Sequence, residues 1–192
     1  MGYAISWIAF KDVAVAQVAE MLSLSPSGET EEMPESMFSG VLLDTGWYVV
    51  VINKFAHEFV SERSLRRVSA QAHVIAAVIE EHVMFSSAEA WKRGNRTWKI
   101  AHDGGDRGHY HLDEQGVLPE EYGSIKERLL AAQKQEHQTE PDVDNVFDIP
   151  LELAATIVGY KHDRDIDACF EILKPGSSAA GSGLLSRLFR RA

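Results

Sequence analysis

The sequence predicts an α+β fold, with a largely antiparallel sheet of about five to seven strands flanked by about four helices. Two observations favour this class. Short apolar segments rich in β-branched and aromatic residues alternate with tight glycine-containing turns through the middle of the chain. Segments with helical spacing of apolar residues lie near both ends. Hairpins in the middle and helices near the ends are typical of α+β domains rather than of alternating α/β folds.

The first 35 residues predict a strand, a helix and a loop. Residues 3–10 are aromatic and β-branched, which favours a strand. Asp12 is a suitable N-cap for a helix that runs to about Leu22. Residues 23–35 contain two prolines, one glycine and four glutamates without periodicity, so we predict a loop there.

The next segments predict a hairpin and a central strand. Residues 37–43 and 47–53 are apolar and are separated by Asp44-Thr45-Gly46, in which Gly46 suits the positive φ of a short turn. Residues 47–52 hardly alternate, so we expect that strand to be covered on both faces. Ser61 can cap a helix to about Ala70. Residues 74–79 fit either a strand or a continuation of that helix to His82, and we favour the strand because hairpins surround it.

The segment at 84–102 contains two tryptophans and predicts a second hairpin. The turn is Arg93-Gly94-Asn95-Arg96. This turn would pair Trp91 with Trp98, Glu89 with Ile100 and Ser87 with His102. Residues 103–108 contain three glycines and predict a loop, and residues 109–113 predict a further short strand.

The remaining chain divides into helices, one strand and a tail. Pro119 can start a helix to about Gln135, and residues 150–158 predict a helix that ends at Gly159. Residues 170–173 predict an edge strand. We therefore assign residues 1–174 to a single α+β domain, residues 175–183 to a flexible Gly/Ser-rich linker and residues 184–192 to a basic amphipathic tail.

Composition restricts the classes of function. The net charge of −10 over 192 residues argues against nucleic acid as the main partner, because phosphate binding needs a concentrated cationic face. The same charge suits a basic protein partner. The chain has a single cysteine, Cys169, and so cannot form an internal disulfide. The first ten residues make a poor signal peptide and no apolar run approaches about 20 residues, so we expect a cytoplasmic protein without a transmembrane segment.

The strongest chemical motif is His109-Tyr110-His111-Leu112-Asp113. On a regular strand, His109, His111 and Asp113 point to one face, where they could hold a divalent metal ion such as zinc. The stretch resembles the His-x-His-x-Asp-His motif of the metallo-β-lactamase superfamily, although Glu114 stands where that motif has its next histidine. The resemblance implies metal-assisted hydrolysis. A separate pairing of Ser87 with His102 would lack an orienting acid, because Asp103 points to the opposite face.

The tail has the pattern of a partner-binding segment. On a helix its apolar and basic residues separate onto two sides: Leu184, Leu185, Leu188 and Phe189 against Arg187, Arg190 and Arg191. Such a segment on a flexible linker can bind an acidic groove on a partner, an anionic membrane surface as a peripheral contact, or its own domain.

Two functions of different classes follow from these patterns. The first is a non-catalytic acidic interaction domain, inhibitor-like or immunity-like, that masks a basic partner and needs no cofactor. The alternative is a metal-assisted hydrolase that uses His109, His111 and Asp113. The first is favoured because the sequence contains no complete set of catalytic residues.

Overall fold

The computed structural model describes residues 2–136 and 143–176 and confirms the α+β class. The described part holds nine strands, more than the five to seven predicted, and five α-helices. The strands are β1 Ala4–Lys11, β2 Leu24–Glu31, β3 Phe38–Leu42, β4 Tyr48–Ile52, β5 His73–Glu80, β6 Phe85–Lys92, β7 Asn95–Asp103, β8 Asp113–Gly116 and β9 Phe170–Pro175. The helices are α1 Val15–Leu22, α2 Glu62–Val68, α3 Gly104–Arg107, α4 Glu121–Glu136 and α5 Asp148–Val158, with short 3₁₀ turns at Glu58–Val60 and Glu81–Val83.

All nine strands belong to one antiparallel sheet in the order β2-β9-β3-β4-β1-β5-β6-β7-β8. The edge position predicted for residues 170–173 is wrong, because β9 lies between β2 and β3. The loop predicted for residues 23–35 is also wrong in part, since Leu24–Glu31 forms the edge strand β2. Its register shifts between Pro26 and Thr30, and an edge strand tolerates such an interruption because one side of its backbone needs no partner strand.

The sheet separates two hydrophobic cores. Helices α4 and α5 cover one face and pack with Trp7, Trp47 and Trp98. Helices α1 and α2 cover the other face, together with Trp91. All five residues of β4 are buried, which confirms the prediction that this strand is covered on both faces. The two core clusters bury most of the large apolar side chains, and this burial is the main stabilising contribution to the fold.

The tryptophan hairpin is confirmed, but its predicted register is wrong. Arg93 and Gly94 alone form the turn, with φ of 53° and 75°, which is the two-residue turn that matches the twist of antiparallel strands. A bulge then follows, and Thr97 is the additional residue on β7. Its hydroxyl donates a hydrogen bond of 3.1 Å to the carbonyl of Ala90. Beyond the bulge Ala90 lies opposite Trp98, so that the two tryptophans enter opposite cores.

The predicted helices are largely confirmed. Helix α2 is capped by Ser61, and helix α5 ends at Gly159, whose φ is 91°. The central strand at 74–79 is confirmed as β5, and the alternative of one long helix to His82 is wrong. Asp12 does not cap α1. It has a φ of 65°, and the helix begins after Ala14.

Three further differences concern the second half of the chain. The predicted loop at 103–108 contains the short helix α3. The strand predicted at 109–113 is wrong, because β8 begins at Asp113. Pro175, in the predicted linker, is the last residue of β9, and the Gly176 amide donates to the carbonyl of Ser23 at 2.8 Å. The rest of the predicted linker, residues 177–183, and the tail at 184–192 lie outside the described residues.

Among the described residues, no helix combines the length and the apolar composition needed to cross a bilayer.

Candidate functional site

The predicted metal ligands lie in an irregular segment rather than on one strand. Asp113 is exposed at the start of β8. His111 is held by the backbone: its Nδ1 accepts a hydrogen bond of 3.0 Å from the amide of Asp103. Nowhere in residues 2–136 and 143–176 do three or more His, Cys, Asp or Glu side chains form a group that could hold a metal ion. His109, His111 and Asp113 therefore do not converge as the His-x-His-x-Asp pattern predicted.

His102 has a carboxylate partner that the hairpin register did not predict. Its Nε2 lies 2.9 Å from Oδ2 of Asp144, and both side chains are fully buried. Its Nδ1 lies 2.7 Å from the carbonyl oxygen of His111, so Nδ1 must carry a proton, since a carbonyl can only accept. Ser86, and not Ser87, lies opposite His102, and its hydroxyl donates to the carbonyl of Phe147 at 2.6 Å.

This buried pair fixes the segment before α5 against the sheet. Gly104 packs so closely that a Cβ there would lie 2.8 Å from Nε2 of His102 and would also clash with Asp144. Asp103 is occupied as the N-cap of α3, where it accepts from the amide of Asp106 at 3.1 Å. Because both side chains are buried among the described residues, we assign the pair a structural role.

A second buried ionic group orients the chain after α5. Lys161 is 5% exposed at its side chain and contacts three carboxylates, Asp148 at 3.0 Å, Glu152 at 3.2 Å and Asp163 at 2.9 Å. Burial by itself would lower the pKa of Lys161, but hydrogen bonds and charges from Asp163 and Asp148 raise it overall. The contacts hold the backbone on both sides of His162.

His162 lines a groove between the loop that follows β2 and the loop that precedes β9. Two adjoining cavities, of about 630 and 460 Å³, share Met33, Pro34, Tyr160 and His162 in their walls. We call this feature the acidic groove. Its further lining residues are Gly2, Tyr3, Ile5, Glu32, Glu35, Val51, Asn53, Arg164, Asp165, Ile166, Asp167, Ala168, Cys169 and Phe170.

Four exposed carboxylates give the groove its charge. Glu32 and Glu35 stand on one side, and Asp165 and Asp167 on the other. Within the described chain, none of the four forms an ion pair. The one arginine in the lining, Arg164, is paired with Glu152 on α5. The groove therefore presents uncompensated negative charge, which favours a cationic ligand.

The buried lining residues form the floor of the groove, which is apolar apart from one imidazole and the Tyr160 hydroxyl: Ile5, Val51, Tyr160, Phe170 and His162. The side chain of His162 is 2% exposed, and its Nε2 lies 3.3 Å from Glu81 Oε1. Its Nδ1 is buried and has no hydrogen-bond partner among the described residues. The ring of Tyr3 stands edge-on to the imidazole at 4.9 Å. A buried polar atom left unpaired costs free energy, and a ligand that supplies a hydrogen-bond donor would remove this cost.

Large apolar side chains remain exposed at the rim. Met33 is 48% exposed and Tyr3 is 40% exposed. Methionine adapts its shape to different contacts, and tyrosine combines a large apolar surface with a polar group. An acidic rim with adaptable apolar contacts is suited to lysine and arginine side chains, which carry a charge on an apolar stem.

The cavity at the opposite end of β9 is a weaker candidate. It measures about 520 Å³ and is lined by Met21, Phe38, His57, Arg63 and Arg67 among others. Two of its polar groups already have partners: Arg67 donates to the carbonyl of Met21, and His57 Nδ1 accepts from the amide of Phe59. The acidic groove is therefore the candidate functional site.

Sequence reasoning missed the groove as a site. The sequence contains both acidic segments of the groove, but Glu32 and Glu35 lie in a predicted loop, and Asp165 and Asp167 follow about 130 residues further along the chain. Comparisons with protein-family models, with curated proteins and with solved structures find no match to this chain.

Proposed function

We propose that this protein is a non-catalytic interaction domain that binds and masks a basic protein partner, as inhibitors and immunity proteins do. The observation that carries the proposal is the acidic groove, in which four exposed carboxylates, none in an ion pair with another described residue, surround a largely apolar floor. Its two cavities have the size of ordinary ligand sites. They can receive a few long side chains, so the partner would contribute a short basic segment rather than a flat surface.

Charge and packing support the proposal separately. Carboxylates at the rim of an interface mainly steer a cationic partner and increase its association rate. Met33 and Tyr3, exposed at the same rim, then supply apolar contact area for the stems of the cationic side chains. The unpaired Nδ1 of His162 can accept a hydrogen bond from a donor of the partner if that donor reaches the floor. Each element of the groove therefore suits a ligand with cationic groups on apolar stems.

A peptide-binding measurement tests the proposal directly. The probe is a fluorescein-labelled decapeptide of alternating arginine and leucine, and the readout is fluorescence anisotropy with the full chain. The groove variant combines Glu32→Gln, Glu35→Gln, Asp165→Asn and Asp167→Asn. We expect its Kd to rise on the order of tenfold, because four rim charges at about 0.2–1 kcal/mol each are lost.

A matched control separates the groove from bulk charge. The control variant combines Asp44→Asn, Asp106→Asn, Glu120→Gln and Glu127→Gln, which removes four exposed carboxylates outside the groove. We expect its Kd to stay within about twofold of the wild-type value, because exposed charges distant from the ligand are screened. Equal losses in the two variants would mean that the peptide responds only to net charge, and the proposal would be abandoned.

A further inference from the structure

The chain itself contains a segment with the chemistry that the groove would recognise. Residues 184–192 include Arg187, Arg190 and Arg191 and no acidic residue. They also include four large apolar side chains, Leu184, Leu185, Leu188 and Phe189. The groove offers the complementary set: four exposed carboxylates without ion-pair partners in the described chain, and exposed apolar surface at Met33 and Tyr3.

The position of the last described residue brings this segment within reach. Strand β9 begins at the groove with Phe170 and runs away from it to Pro175, followed by Gly176. The six steps from Phe170 to Gly176 span about 20 Å at about 3.3 Å per residue. The eight steps from Gly176 to Leu184 span about 26–29 Å when extended. The chain can therefore return along the sheet edge and bring residue 184 back to the groove.

We propose that residues 184–192 dock in the acidic groove of the same molecule and compete there with the basic partner. This inference rests on the proposed function and adds a regulation to it. The apolar side chains would contact the groove floor, and the three arginines would neutralise the carboxylates at its rim. The partner must then displace the segment before it can bind, so the measured affinity depends on the fraction of molecules with an open groove.

Effective concentration favours docking of the segment within one molecule over docking between two copies. A short linker holds its attached segment near the groove at an effective concentration in the millimolar range when it can span the distance. Two copies at micromolar concentration are far more dilute than this.

The single cysteine provides a direct test. Cys169 is exposed and lines the groove, so a nitroxide attached there reports on any segment that enters. In ¹⁵N-labelled full-length protein we expect selective paramagnetic broadening of the amide signals of residues 184–191. The broadening should disappear in the groove variant with Glu32→Gln, Glu35→Gln, Asp165→Asn and Asp167→Asn, and persist in the control variant.

A mixing experiment separates the two arrangements. Nitroxide-labelled ¹⁴N protein is added to unlabelled ¹⁵N protein, so that only contacts between molecules produce broadening. At a protein concentration of about 50 µM we expect no broadening, because this is far below the millimolar effective concentration of a segment attached by a short linker. Broadening in the mixed sample would assign the docking to a second copy and would overturn the proposal as stated. Absence of broadening in the directly labelled protein would overturn it as well.

A competition measurement does not depend on the label. In the full chain, Arg187→Gln, Arg190→Gln and Arg191→Gln should increase the affinity for the arginine–leucine decapeptide. The increase is about tenfold if the segment occupies the groove in nine molecules of ten. A control with Arg63→Gln, Lys92→Gln and Lys134→Gln changes the net charge equally and should leave the affinity within about twofold.

The two proposals fail in different ways. An unchanged affinity in the arginine variant, with the dependence on groove carboxylates retained, would overturn self-docking and leave the interaction function standing. The groove substitutions also release the segment, so this dependence is measured in the Arg187→Gln, Arg190→Gln, Arg191→Gln chain, where the groove is open. Loss of the dependence in that chain would overturn the proposed function, and self-docking with it.

Discussion

The Nε2 atom of His102 lies 2.9 Å from Oδ2 of Asp144 inside the core, although 41 residues separate the two in sequence. The carbonyl of His111 requires a proton on Nδ1, which leaves Nε2 as the ring atom that faces Asp144. Asp144 also accepts from the amide of Phe147 at 3.2 Å through its other oxygen. The pair thus connects β7 with the start of α5.

Asp144→Ala should destabilise the fold strongly. The variant leaves Nε2 of the fully buried imidazole and the amide of Phe147 without their partner, and each buried polar group left unpaired costs about 1–3 kcal/mol. Urea unfolding followed by tryptophan fluorescence measures the loss. Glu62→Gln, which removes an exposed partner of Arg66, is the control and should cost less than about 1 kcal/mol. Equal effects of the two substitutions would contradict the structural role of the pair.

Gly104→Ala and Gly123→Ala should have opposite effects on stability. A Cβ at Gly104 would clash with His102 and Asp144, and overpacking of this kind costs about 1–3 kcal/mol. A Cβ at Gly123, within α4, meets nothing within 4 Å, so alanine should stabilise the helix by about 0.5–1 kcal/mol. Thermal unfolding of both variants measures the two shifts. A Gly104→Ala protein more stable than the wild type would contradict the predicted clash, because His102 and Asp144 would then have moved to accommodate the Cβ.

The buried Lys161 should make stability depend on alkaline pH. Its pKa is raised in the folded protein, so its contribution is complete below the unfolded value of about 10.4 and is lost as the pH rises through the folded value. We expect Lys161→Met to reduce the free energy of unfolding by about 1–3 kcal/mol at pH 7, because three carboxylates lose their cation.

This deficit should shrink as the pH rises above about 10.4, because the wild-type protein then loses the contribution that the variant already lacks. Urea unfolding at a series of pH values between 7 and 11 provides the measurement. Lys92→Met, at an exposed position, serves as the control and should show no such convergence. A pH-independent difference between wild type and Lys161→Met would show that lost packing, rather than charge, causes the destabilisation.

His162→Phe should separate stability from binding. The substitution keeps an aromatic ring beside Tyr3. It removes an unpaired buried nitrogen and also the Nε2 contact with Glu81, two effects of opposite sign, so we expect stability to change by less than about 1 kcal/mol. Binding of the arginine–leucine decapeptide should weaken on the order of tenfold, since an acceptor at the groove floor is lost. Unfolding and anisotropy measured on one preparation test both statements. Unchanged peptide affinity would remove His162 from the site.

Local signals predicted the parts of the fold that depend on neighbouring residues. The Gly46 and Gly94 turns, the Ser61 cap and the Gly159 helix end were all visible because turn and cap geometry requires particular side chains at particular positions. The bulge at Thr97 was not visible. It depends on which core each tryptophan enters, and therefore on helices far away in sequence.

Contacts between distant residues account for what the sequence did not reveal. Strand β2 contains Pro26 and Gly28 and has weak strand propensity, and it forms because β9 supplies hydrogen bonds from the far end of the chain. The pairing of His102 with Asp144 and the meeting of Glu32 with Asp165 across the groove are equally remote. No rule of sequence spacing relates such distant positions, so the site can be found only from the three-dimensional structure.

The insertion of β9 between β2 and β3 has a consequence for synthesis. Strands β2 and β3 leave the ribosome early, but neither can complete its hydrogen bonds until Phe170–Pro175 has been translated. Non-local pairing of this kind slows folding. At about 5–20 residues per second, the nascent chain exposes unpaired strand edges for roughly 7–30 s before β9 emerges. Chaperone dependence during translation should therefore exceed that of a sheet built from consecutive hairpins.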